Sequence, residues 1–162
     1  MNGITRIGVA AVGSLILASA AMGQAPPAQT PEQKAEATVL TRQGLFKVQS
    51  FAFAPVGAML RSKNVDAAAA VKAAQRVQVT AAMIPDVFAT DTHAEKITIK
   101  TRAREGIWTN KSDFDSKAND LVKAAAELEA AGKSGDKDKI LAAATGVGKG
   151  CSGCHDQFRD NP

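Results

Sequence analysis

Tyrosine is absent from the 162-residue sequence, tryptophan occurs once and phenylalanine six times, so aromatic residues make up only 4% of the chain. With alanine abundant, this scarcity leaves almost no strand signal beyond Pro31, because strands favour aromatic and β-branched side chains. A nucleic-acid footprint is missing as well: the formal net charge is +4, and Lys and Arg are interleaved with Asp and Glu instead of clustered. No nucleophile–base pair, paired carboxylate site or phosphate loop is present, so nothing in the chain points to an enzyme. The apolar run from Ile7 to Ala18 is shorter than the roughly 20 residues that a membrane span needs.

That run follows the basic Arg6 and precedes small residues, with Gln24, Pro26, Pro27 and Gln29 directly after it. The pattern is that of a secretory signal over residues 1–23, cleaved somewhere within 20–25. Loss of Arg6 leaves 19 basic against 16 acidic side chains on an exported chain, residues 24–162, of a length that suits one domain. The expected location is periplasmic, with no membrane contact after cleavage.

Apolar residues recur at helical spacing in four stretches, which predicts an all-α fold. The first helix is expected from Glu32 to Leu60, with Val39, Arg42, Leu45, Phe46, Gln49 and Phe53 on neighbouring faces and Pro55 bending its last turns. A second is expected from Val65 to Met83, its slim Ala67, Ala70, Val71, Ala74, Val77, Ala81 face ended by Pro85. Ile84 to Asn110 reads as a long loop in which only Lys96 to Thr101, KITIKT, alternates like a short strand. Ser112 and Asp115 suggest a capping box for a third helix that places Phe114, Ala118, Leu121, Ala125 and Leu128 on one face before Gly132 stops it. The fourth opens near Ser134 to Asp136 and runs through Ile140, Leu141, Ala144 and Val147. One long and two short connections make an antiparallel, up-down-up-down four-helix bundle the natural architecture.

Both cysteines of the chain, and one of its two histidines, lie in Cys151-Ser152-Gly153-Cys154-His155. A disulfide there would close too small a loop to staple a domain, and a thioredoxin-like pair would want a βαβ context. A structural zinc site would need a fourth protein ligand beside the two thiolates and His155, and His93, in an unassigned loop, is the only histidine left to supply it. C-x-x-C-H is also the attachment signature of c-type haem, in which the thiols bond the porphyrin and the histidine an axial position of the iron. The residues favour that reading, with an incidental C-x-x-C beside a capping histidine as the alternative. Gly146, Gly148 and Gly150 each cost about 1 kcal/mol in a helix interior, which argues for a flat group or a partner helix against that backbone, or else for a broken helix.

In such a bundle the last helix ends level with the start of the first, the end of the second and the start of the third. Phe46, Phe88, Trp108 and Phe114 can therefore line one end, as a large apolar cofactor needs, although ordinary core packing accounts for each singly. The first turns of the first helix hold neither His nor Met, Lys47 is a poor ligand, and Met59 belongs to the opposite end. The sixth iron position is expected to be open unless Met83, otherwise core filler, reaches it.

On the C-terminal C-x-x-C-H, Arg159 four residues after the histidine, TRQGLF in the first helix, GIW before the third and GDKDKILAAATGVGKGC leading to the cysteines, the chain resembles the cytochrome c′ family over nearly all of its mature length. The resemblance implies one covalent haem c on Cys151 and Cys154, His155 as proximal ligand, and a five-coordinate, high-spin iron with an apolar distal face. It implies that Arg42 lies near the haem propionates, Arg159 beside the proximal histidine, and Phe46 over the distal face, hindering diatomic ligands. Phe158 stands where a tyrosine often precedes the arginine, the 84–107 loop is longer than in many relatives, and the first helix lacks the methionine of low-spin members. Two functions follow: binding of nitric oxide and carbon monoxide at a crowded open iron, or one-electron transfer with redox partner proteins. A bundle without cofactor is the third possibility. The resemblance further implies a homodimer through the first two helices, with Phe51 at the contact.

Overall fold

The computed structural model describes residues 28–161 and has six helices among them: α1 Pro31–Ser62, α2 Ala67–Ala82, α3 Ile84–Val87, α4 Gly106–Thr109, α5 Lys111–Ser134 and α6 Lys137–Phe158. The expected signal sequence lies outside the described residues. The long helices α1, α2, α5 and α6 form the antiparallel four-helix bundle, each packing on two neighbours in the order α1, α2, α5, α6. None of the described helices is long and apolar enough to cross a membrane.

Local chemistry sets most boundaries. Thr30 and Gln33 make a reciprocal capping box ahead of α1, which runs unbroken past Pro55 and closes at Lys63 in the left-handed region. The Asp66 carboxylate accepts from Ala69 N at 2.9 Å to open α2, and that of Asp136 accepts from Asp138 N and Lys139 N to open α6. Between the helices, Val39, Val56, Val77, Leu128, Ile140 and Val147 are fully buried. Each such burial stabilises the fold by about 1.5–3 kcal/mol.

Four expectations need correction. No side chain caps α5: it begins at Lys111 after Asn110, and Asp115 pairs with Lys111 one turn back instead of with a Ser112 cap. Gly132 does not stop that helix but packs inside it, where an added Cβ would lie 2.7 Å from Val71 Cγ2; Gly135, at φ 71°, is the stop. Pro85 does not close α2, which ends at Ala82, but opens the one-turn α3. KITIKT is not a strand. Glu36 accepts from Thr98 N and Thr98 Oγ1, and Gln43 donates to Lys100 O, so the segment is strapped along α1 with no strand partner.

Candidate functional site

The glycine-rich second half of α6 is an intact helix, not a broken one, and carries Cys151, Cys154 and His155 at i, i+3 and i+4 on one face. Added Cβ atoms at Gly146, Gly148 and Gly153 would meet nothing within 4 Å, and one at Gly150 would touch Leu121 Cδ1 at 3.4 Å, an ordinary contact. Only Gly150 therefore faces a partner helix closely.

The end of α6 is held from outside. Arg104 Nη1 donates to the Asp156 and Gln157 carbonyls at 2.9 and 3.1 Å, capping carbonyls that a helix end leaves unpaired. Ala103 and Arg159 form an antiparallel bridge through Arg104 N to Phe158 O and Asp160 N to Arg102 O. Gln157 Nε2 donates to Asp113 Oδ2 at 2.6 Å, joining α6 to the start of α5.

Both cysteines are free thiols. Burial pushes both thiols up from their ordinary value, with the Lys117 ammonium opposing the rise at Cys154. A redox pair works through accessible thiolate, which this environment disfavours. His93, the other histidine, is exposed on the 88–105 segment, with Nε2 3.2 Å from Ala103 O and its ring edge on Trp108. No group of three His, Cys, Asp or Glu side chains placed to hold a metal ion occurs among the described residues. His155 is half-buried; burial first, then the nearby Arg159 and Arg102 charges, push its imidazole down. A neutral imidazole is the form that coordinates a metal.

Across from Cys151, Cys154 and His155, a narrow cleft is walled by Phe46 and Gln49 of α1, Ile84 of α3, and Lys117, Ala118 and Leu121 of α5. It contains a cavity of about 30 Å³. Gln49 is only 8% exposed, and its Oε1 is buried with no hydrogen-bond partner. Such an orphan costs about 1–3 kcal/mol.

Behind this cleft the four expected aromatics do come together. Phe88 packs on Phe46 at 6.1 Å, on Trp108 at 6.1 Å and on Phe114 at 5.0 Å between centroids, and Phe158 extends the set from Phe114 at 5.2 Å. Phe46 alone of the four borders the cleft; Phe88 and Phe114 are buried behind it, and Trp108, on α4, donates Nε1–H to Phe88 O at 3.0 Å. Arg42 is 3% exposed, stacks over Phe88 and Trp108, and donates to Val87 O, Thr90 O and Thr92 Oγ1. Among the described residues it bridges no carboxylate within 4 Å, and burial pushes its guanidinium down from its ordinary value, opposed by the Asp91 charge. Arg159 is exposed at the C-cap of α6.

Met83 is not core filler: it is 47% exposed at the end of α2, and among the described residues no methionine borders the cleft. Gln49, Lys117 and Phe158 were not singled out as site residues in the sequence. Gln49 interrupts an apolar stripe and Phe158 lies seven residues after Cys151, signals that helical spacing carries; Lys117, between two acidic neighbours' turns on α5, gives none.

Residues 37–159 match the family model described as Cytochrome C′. The chain is 36% identical to the cytochrome c′ of Cereibacter sphaeroides over 136 residues, covering 82% of this chain and 89% of the relative. Among solved structures, cytochrome c′ from Shewanella frigidimarina superposes with a TM-score of 0.69 at 32% identity, over 78% of this chain and 97% of the other. A nitric oxide complex of a mutant cytochrome c′ from Alcaligenes xylosoxidans gives 0.67 at 26% identity, over 78% and 97%.

Proposed function

Because this chain belongs to the cytochrome c′ family of haem c proteins, we propose that it is an exported, periplasmic gas-binding protein whose cleft holds one haem c and leaves one face of the iron open to nitric oxide or carbon monoxide. When bound, the haem supplies an iron that can take a small gas as ligand and can exchange single electrons.

The residues fit the group. Cys151 and Cys154 point from one helical face, remain protonated thiols at neutral pH because burial raises them, and would form the two thioether links. His155, kept neutral, would bind the iron, and its helix end is fixed by Arg104 and the Ala103–Arg159 bridge. Arg42, a buried cation with no carboxylate partner, would face the propionate charge while bracing residues 87–92; Arg159 would flank the histidine side. Opposite, Phe46 would crowd the open face, with Phe88, Trp108 and Phe114 as its backing.

The observation that carries this reading is the make-up of the cleft: two thiols and an imidazole on α6, and no second histidine or methionine among the residues that wall it. The nitric oxide complex of a relative supports the choice of ligand. The apolar face made by Leu40, Val48 and Phe51 on α1 with Val79 and Met83 on α2, where Phe51 is 69% exposed, suits a second copy of the chain as its cover. Residues 1–23 act as the export signal and are removed.

An optical spectrum of the exported, haem-loaded protein tests the reading. Broad high-spin ferrous bands that shift on adding carbon monoxide are expected. Sharp low-spin bands that the gas does not move would reject it in favour of a one-electron carrier, and a colourless protein would reject both.

A further inference from the structure

The one-turn helix α3 and the residues after it have little to hold them in place on their own. A four-residue helix is far short of the length at which helices become stable by themselves, roughly 12–15 residues, and its last carbonyls need donors from elsewhere. Those donors come from two side chains. Arg42 of α1 donates Nε–H to Val87 O at 2.8 Å, Nη1–H to Thr92 Oγ1 at 2.9 Å and Nη2–H to Thr90 O, and Trp108 of α4 donates Nε1–H to Phe88 O at 3.0 Å. The guanidinium thus commits an N–H of each of its nitrogens to the 87–92 segment. Its Cζ also stands over the Phe88 and Trp108 rings, 4.6 and 5.1 Å from their centroids. Arg42 is only 3% exposed, and a cation at that depth is costlier to bury than the methionine that would fill a similar stretch of α1. Meeting a haem carboxylate asks for charge alone; it does not ask for a loop wrapped round the guanidinium.

We propose that Arg42 is a positioning residue for gas binding: by pinning residues 87–92 to α1 it fixes Phe88 behind Phe46, so that the Phe46 ring cannot retreat from the open face of the iron. This rests on the haem reading above. Phe46 follows Arg42 by one turn of α1, on the same face, and Phe88 packs on it at 6.1 Å between centroids. Phe88 is itself buried, in contact with Trp108 and Phe114 as well. With α3 too short to hold itself, the fork of Arg42 and the indole of Trp108 determine where that ring stands. Lysine cannot take over this part: it keeps the charge, but its ammonium is a single point and cannot serve three separate oxygens as the rigid, planar fork does.

The test is made on the haem-loaded ferrous protein with Arg42→Lys and, because that change falls in the core, also with Thr92→Val, which removes one acceptor and leaves Arg42 and every ring in place. Trp108 is the only tryptophan of the chain, so its indole N–H gives a single nuclear magnetic resonance signal in the diamagnetic carbon monoxide complex. Exchange of that proton with solvent reports the bond to Phe88 O. It should be about tenfold faster in Arg42→Lys, and faster by a smaller factor in Thr92→Val. Carbon monoxide affinity should rise about threefold in Arg42→Lys and less in Thr92→Val, and not at all when Arg42→Lys is made together with Phe46→Ala, where no ring remains to retreat. Unchanged exchange or unchanged affinity in Arg42→Lys, or in Thr92→Val should the first variant not fold, overturns the proposal. So does an affinity gain of the same size with and without the Phe46 ring. A wild-type chain without covalent haem, or one whose iron takes up no carbon monoxide, overturns the functional reading and this proposal with it; gas uptake that the Arg42 and Thr92 variants leave unmoved overturns this proposal alone.

Discussion

Where α5 turns into α6, the groups that meet between helices satisfy one another; where α6 finishes, one buried acceptor is left without a partner. At the first end Gly132 lies so close to α2 that an added Cβ would meet Val71 Cγ2 at 2.7 Å and the Ala67 carbonyl oxygen at 3.2 Å. There too the Glu129 carboxylate accepts from Gln75, Gln78 and Lys133, so its polar groups satisfy one another. At the second end a buried guanidinium has no carboxylate, a buried carboxamide oxygen has no partner, and two thiols are unpaired. Arg42 is met by three neutral oxygens, but protein interiors rarely leave an acceptor such as Gln49 Oε1 unmet. The difference separates a region shaped for the bundle alone from one shaped for something added to it.

The largest effect should come from the second end. Replacing Cys151 and Cys154 together by Ala should remove all haem that survives denaturation, read on a haem-stained denaturing gel; a stained band would erase the contrast. At the first end, Gly132→Ala should lower stability by about 1–3 kcal/mol through overpacking against Val71. Gly146→Ala, with open space around it, should raise stability by up to about 1 kcal/mol. Equal responses in chemical denaturation would mean that the tight packing at Gly132 is not what sets the two ends apart.

Phe46→Ala should strengthen ferrous carbon monoxide binding by about tenfold, or about 1.4 kcal/mol. An unchanged affinity in a gas titration would remove Phe46 from the open face. The smallest effect concerns Glu129, whose carboxyl is lowered from 4.5 to about 2, first by its hydrogen bond from Lys133 and then by those from Gln75 and Gln78. Because the folded value lies below the unfolded one, this contribution is present in full above about pH 4.5 and fades as pH falls towards 2. The melting temperature of Glu129→Gln should therefore fall less steeply than that of the wild type across this window.

Much of this contrast was legible in the chain. The Phe114, Ala118, Leu121, Ala125, Leu128 face of α5 is buried as its spacing implies, and Cys151 to His155 fall in the last turns of α6. What helical period does not encode is competition between partners. Asp115 is within one helical turn of both Lys111 and Ser112, and the ion pair prevails. Gly132 and Gly135 are both plausible stops, and only the proximity of α2 distinguishes a packing glycine from a terminating one. The alternation of KITIKT is real, yet alternation without a second strand leaves backbone groups for side chains such as Gln43 and Glu36 to take. Gln49 was visible as a polar residue on an apolar face, but whether it had a partner depended on elements more than 30 residues away.

The clasp of Arg104 on the last carbonyls of α6 spans 52 residues of chain. The terminal turn of a helix is ordinarily where unwinding starts, yet here that turn is anchored to a segment made well before it. Loss of the Arg104 guanidinium would thus leave the Asp156 and Gln157 carbonyls without their donor and loosen the imidazole's seat without altering one residue of the cleft. The end of α6 that carries His155 is held by a strap on the outside of the bundle.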